Sequence, residues 1–103
     1  MRNAKSVYLR YSEGMNTEQF LHLLRQDGFP EPVEVQQISN GALGVHEHPF
    51  EVRALVIEGS IEIVINGLSK RYQAGDIFQL SLRQPHSESY GSEGVKYLAS
   101  RRQ

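Results

Sequence analysis

The stretch "VHEHPFEVRALVIEG", residues 45–59, joins a chemical signal to a structural one. His46 and His48 stand one residue apart, then a proline, then an apolar, β-branched run that ends at Gly59. In a strand, residues i and i+2 point to the same side, so His46 and His48 can present two imidazoles to one point. The same pair also suits a loop entering a strand with both rings in water. A metal would need at least a third ligand. His22 falls in a helical stretch, where an exposed helix residue is its ordinary role. His86, in "RQPHSES", lies on the β portion just after a proline turn. Three neutral imidazoles suit Fe(II), Zn, Ni, Cu or Mn and leave positions open for water or substrate.

Outward from this stretch the chain is mostly short strands with turn punctuation. "VEVQQI" alternates and "SNGALG" is a turn. "VRALVIEG" and "SIEIVI" are apolar and β-branched, with Ile61, Ile63 and Ile65 on one face. Asn66-Gly67 is a strong hairpin signal. A second turn falls at Gly75-Asp76, and "IFQLSL", "HSESYG" and "VKYLAS" complete the series. Short strands spaced by Gly and Pro turns predict an all-β sandwich or barrel rather than a parallel α/β sheet. One helix is predicted near residues 16–27, in "NTEQFLHLLRQDGFP". Asn16 or Thr17 caps it, Phe20, Leu23 and Leu24 share a face, and Gly28, Pro30 and Pro32 end it. Before it, "SVYLRY" reads as a short strand.

Bulk properties narrow the function. The 103 residues suit one domain. Without cysteine there is no disulfide, thiolate metal site or cysteine nucleophile, and a reducing, cytoplasmic setting is the expectation. A formal net charge of -1 argues against nucleic acid, which wants a basic face. The apolar runs are far short of the ~20 residues that cross a bilayer, and "MRNAKSVYLR" lacks the apolar region of a signal peptide.

The spacing of these residues resembles the cupin superfamily, small double-stranded β-helix barrels. Gly41, His46, His48 and Gly59 follow the order of the first cupin motif; Gly75 and His86 stand at the spacing of the second, and "GDIFQLSLRQPH" is similar to its central segment. The resemblance covers roughly residues 33–100. It implies a barrel over 33–103, with residues 1–32 as a strand-and-helix extension packing on it, all one structural domain. It also implies a divalent transition metal (Fe, Mn, Ni, Zn or Cu) held by His46, His48 and His86. The motif's glutamate position falls on Val52 or Arg53, and the nearest carboxylate is Glu51. In a regular strand Glu51 faces away; a bulge after Pro49 would turn it inward as a fourth ligand. Ser81 and Arg83 replace the motif's proline and glycine, and Tyr90 its closing asparagine. Tyr90, Gln79 and Arg53 are candidates to line the pocket, with Tyr97 and Glu58 as further polar candidates. The resemblance implies an enzyme on a small organic acid or dicarbonyl, such as a metal-dependent dioxygenase, isomerase or decarboxylase. The alternative is a non-catalytic ligand-binding or sensing module with a structural metal or none. A homodimer, paired through a sheet face or the "SVYLRY" strand, is the expected assembly.

Overall fold

The computed structural model describes residues 14–103. Its elements, in order, are α1 (Thr17–Gln26), β1 (Val33–Gln37), β2 (Ala42–His46), β3 (Glu51–Ile65), β4 (Leu68–Gln73), β5 (Ile77–Leu80) and β6 (His86–Arg102). The "SVYLRY" stretch lies outside the described residues. No helix among those described is long and apolar enough to cross a membrane.

Two long strands organise everything else. β3 and β6 run antiparallel along most of their lengths, from Glu51 beside Arg102 to Val64 beside Ser87. Each half of this ladder gains one flanking strand on either side. β1 joins the second half of β6, and β5 joins the first half of β3. β2 joins the start of β6, and β4 joins the end of β3. The outcome is two four-stranded half-sheets that share β3 and β6: the all-β barrel that the turn spacing predicts, in the double-stranded β-helix form that the resemblance implies.

The ladder bends where its register shifts, between Val56 and Glu58 and between Gly59 and Ile61. Gly59 (φ 73°) and Gly94 (φ 70°) sit at this bend in left-handed conformations. A Cβ on Gly59 would lie 2.1 Å from the Gly94 carbonyl oxygen, and one on Gly94 2.5 Å from that of Gln37. Only glycine permits both the backbone angle and the approach. The β3–β4 hairpin turns on Asn66 (φ 51°) and Gly67 (φ 78°), the paired positive angles of a type I′ turn.

Strand parity sorts the side chains. Val52, Ala54 and Val56 face inward with Ile61, Ile63, Phe78, Leu80, Tyr90, Val95 and Ala99, all buried. Leu55 faces the other way and meets Phe20, Leu24 and Phe29, with Ile77 and Leu98 alongside. The helix therefore packs on the outer face of a half-sheet through Phe20 and Leu24. Asn16 and Gln19 form a reciprocal capping box at its start. His22 on this helix is exposed.

Candidate metal centre

The antiparallel ladder of β2 and β6 sets His46 directly opposite His86. Their rings lie 4.2 Å apart, centroid to centroid. His48, two residues past His46 in the link to β3, brings its ring 5.0 Å from His46 and 5.3 Å from His86. Phe50 stacks on His48, at 5.0 Å and 10° between planes. One nitrogen from each of the three histidines lies within 4.8 Å of the others.

Local backbone fixes which nitrogen faces inward. His46 Nδ1 is 2.7 Å from the Gly44 carbonyl and His86 Nδ1 is 2.9 Å from the Gln84 carbonyl. An Nδ1–H that donates to a carbonyl leaves the Nε2 lone pair free on a neutral ring. His86 is 2 % exposed, and its Nε2 is buried with no hydrogen-bond partner. A buried polar atom without a partner costs about 1–3 kcal/mol, so its position calls for an electrophile. A divalent ion that accepts imidazole nitrogen meets that need, and the residues present fit it. Burial, followed by the charges of His46 and His86, lowers the His48 pKa below its ordinary value and favours the neutral, ligating ring.

The turn between β5 and β6 supports the same corner. Arg83, at the motif's glycine position, takes φ 56°, and its N–H donates to the His48 carbonyl at 2.8 Å. Gln84 closes the turn by donating to the Ser81 carbonyl. The turn is thus built on a left-handed arginine in place of glycine, and it ties the His48 segment to the approach of His86.

A cavity of about 150 Å³ opens onto His46 and His48. Phe50, Val52, Phe78, Leu80 and Ala99 form its apolar walls, Tyr97 and Glu88 are polar points within it, and Gln37 and Arg101 also line it. An apolar cavity of about this size holds a molecule such as benzene. Burial, then the Glu88 charge, raises the Tyr97 phenol to about 12, so it stays a hydroxyl donor across the ordinary pH range.

The other expected residues lie apart from this cluster. Glu51 faces outward, as an unbulged strand dictates, and both its oxygens meet Arg102, at 3.1 and 3.2 Å. Arg53 shares that outer face; it pairs with Asp27 at 2.6 Å and lies 4.3 Å over the Phe29 ring. Gln79, beside Arg53 in the ladder, is exposed. Glu58 is on the surface, 3.8 Å from Lys96. Tyr90 is buried, and its hydroxyl donates to Glu88 at 2.8 Å. Glu88 itself is absent from the sequence reading, although it stands two residues after His86 and strand parity puts both on one face.

No family model and no curated protein matches the chain. Solved structures do. The cupin domain of Cnp3 from Schizosaccharomyces pombe matches with a TM-score of 0.61 and 17 % identity over 71 % of this chain and 56 % of that one. The DMSP lyase DddQ from Ruegeria pomeroyi matches at 0.62 and 21 %, over 68 % of this chain and 36 % of the lyase. Oxalate decarboxylase from Bacillus subtilis, whose Mn(II) centres are the subject of its structure, matches at 0.61 and 21 %, over 69 % of this chain and 20 % of the decarboxylase. The chain spans about half the length of the first of these and less of the others. The fold is the cupin fold, and its neighbours include a lyase and a decarboxylase as well as the cupin domain of Cnp3.

Proposed function

We propose that this cupin-fold chain binds one divalent transition metal through His46, His48 and His86 and acts there on a small organic acid or dicarbonyl. The observation that carries the reading is the convergence of three imidazoles on one point, with the His86 Nε2 buried and making no hydrogen bond. A metal held by three protein ligands supplies Lewis acidity toward an oxygen-bearing substrate at its open positions. The chain's residues do the remainder. Phe50, Phe78 and Leu80 exclude water around the bound molecule. Arg101 supplies a cation for a carboxylate, and its guanidinium lies 5.3 Å from the Phe50 ring centroid. Tyr97 offers a hydroxyl that keeps its proton. The Mn(II) centres named for oxalate decarboxylase and the lyase activity named for DddQ support a metal-dependent enzyme by analogy of fold only.

A second reading, a ligand-binding module without turnover, is favoured by one observation. Arg53, Gln79 and Glu58 all lie off the cavity, which leaves few groups for acid–base work. The metal reading is tested by metal content of tag-free protein and of His46→Ala, His48→Ala and His86→Ala. One ion per chain in the parent and a loss in each variant is expected; full metal in all three variants overturns it. Oxygen uptake and decarboxylation screens on loaded protein then separate enzyme from module.

We also propose a homodimer. Ile38 is 77 % exposed, and Leu43 and Val45 on β2 are 45 % and 78 % exposed, apolar surface suited to a second copy. Light scattering at micromolar protein is expected to give twice the chain mass of 11.7 kDa; the single mass would exclude it.

A further inference from the structure

Glu88 is a buried carboxylate, 8 % exposed, that the three-histidine reading does not use. Its two oxygens have different surroundings. Oε1 accepts the Tyr90 hydroxyl at 2.8 Å. Oε2 points to the histidines, 3.4 Å from His86 Nε2 and 3.7 Å from His46 Nε2. With both Nδ1 atoms against backbone carbonyls, each ring turns its Nε2 toward Oε2. Two imidazole nitrogens and a carboxylate oxygen then meet at one point beside the cavity. Two ligands on one ion, with bonds of roughly 2.0–2.2 Å and angles between 90° and tetrahedral, sit about 3.0–3.5 Å apart. The Glu88–His86 separation falls in that interval and the Glu88–His46 separation just above it.

We propose that Glu88 is the carboxylate ligand of this metal centre, supplied by β6 in place of the one missing near Val52 and Arg53. The proposal rests on the three-histidine reading and adds the fourth ligand to it. Tyr90 is its positioning residue. By holding Oε1, the phenol leaves Oε2 as a single donor toward the ion and keeps the carboxylate from turning to either side. Strand parity explains the exchange. Val52 must face inward at the usual position, where the cavity wall needs an apolar group. Glu88 reaches the same space from the opposite strand, because residues 86, 88 and 90 share the inner face of β6. Outer partners of metal ligands typically change affinity by about 10–100-fold, so Tyr90 has a measurable share in binding without touching the ion.

The test uses full-length, tag-free protein stripped with chelator and titrated with Zn²⁺ by calorimetry and with Co²⁺ by visible absorption. Glu88→Gln keeps the shape and removes the charge. It is expected to weaken Zn²⁺ at least 100-fold and to change the Co²⁺ spectrum, which reports the ligand set directly. Tyr90→Phe is expected to weaken Zn²⁺ about 10-fold with the Co²⁺ band pattern kept. Glu51→Gln is the comparison and should match the parent in both. If Glu88→Gln proves unfolded by circular dichroism, Glu88→Asp replaces it; the shortened carboxylate should weaken Zn²⁺ and shift the Co²⁺ bands. Parent-like affinity and spectrum in the folded Glu88 variant overturn the proposal while the three-histidine centre stands. Loss of affinity in Glu51→Gln rather than Glu88→Gln overturns it as well. A parent that binds neither ion overturns the three-histidine reading, and this proposal with it.

Discussion

Protonation of His48 is opposed first by burial and then by the charges of His46, His86 and Arg101, with Glu88 pulling the other way. The folded pKa is therefore below the ordinary value of 6.5, and the sign of its effect follows. Between the depressed value and 6.5 the unfolded chain binds the proton more readily than the folded one, so stability rises with pH there and levels off above 6.5. The stripped protein should thus have a lower urea midpoint at pH 5 than at pH 7.5. His48→Gln should shrink the difference, and an unchanged difference would remove His48 as a cause. Arg83 carries a separate local cost. A non-glycine residue in the left-handed region loses about 1–2 kcal/mol relative to the ordinary helical one, and Arg83 is there at φ 56°. Its compensation is a surface pair with Glu47 at 3.3 Å, 65 % and 48 % exposed, which contributes little. Arg83→Gly is expected to stabilise by about 0.5–1 kcal/mol, read as a raised urea midpoint, because the N–H that binds the His48 carbonyl is kept.

The bend in β3 and β6 is the element on which both half-sheets depend, and it isolates the effect of close approach. Gly94 and Gly67 have similar angles, φ 70° and 78°. A Cβ on Gly67 meets nothing within 4 Å, whereas one on Gly94 would fall 2.5 Å from a backbone oxygen. Gly67→Ala should cost about 1–2 kcal/mol, the conformational part alone. Gly94→Ala should cost clearly more, since β1 must shift away from β6. Equal thermal midpoints for the two would mean that the bend yields easily. The same elements show what was readable from the chain. The Asn66-Gly67 turn, the capping residues before Phe20 and the inward row of Val52, Ala54 and Val56 are local patterns of period and turn chemistry, and these predict elements well. His46 and His48 were legible by parity, and His86 by its spacing from Gly75. Glu88 obeys the same parity rule but carries no spacing signal of its own. A glutamate in "HSESYG" reads as an outward polar residue until the ladder sets its partners. Gln79, on β5, is exposed, whereas Arg53 lies off the cavity because β3 has two covered faces. A polar residue beside apolar ones there lies under the helix, against Asp27 and Phe29, rather than in the cavity.

At the scale of the whole molecule, the question is whether the ion holds the barrel or the barrel holds the ion. The apolar interior runs through both half-sheets, from Val52 and Leu80 to Ile61 and Ile63, and a second apolar cluster fastens the helix outside. His46 and His86 stand on two strands already paired across the ladder, and His48 on the link beside them. Folding therefore does not wait for the metal, unlike a small zinc finger, whose core is too small without it. Binding to the folded state alone adds about 2.7 kcal/mol at a free concentration 100 times the dissociation constant. For a domain of roughly this length that raises the midpoint on the order of 10–20 °C. Chelated protein should keep the strand-dominated circular dichroism of the loaded form, with a midpoint that climbs as Zn²⁺ is added. His48→Ala should keep the spectrum and lose the climb, because His48 lies in the link before β3 and its ring is only partly buried. Collapse of the spectrum on chelation would make the ion part of the fold. A climb that persists in His48→Ala would place the Zn²⁺ elsewhere on the chain.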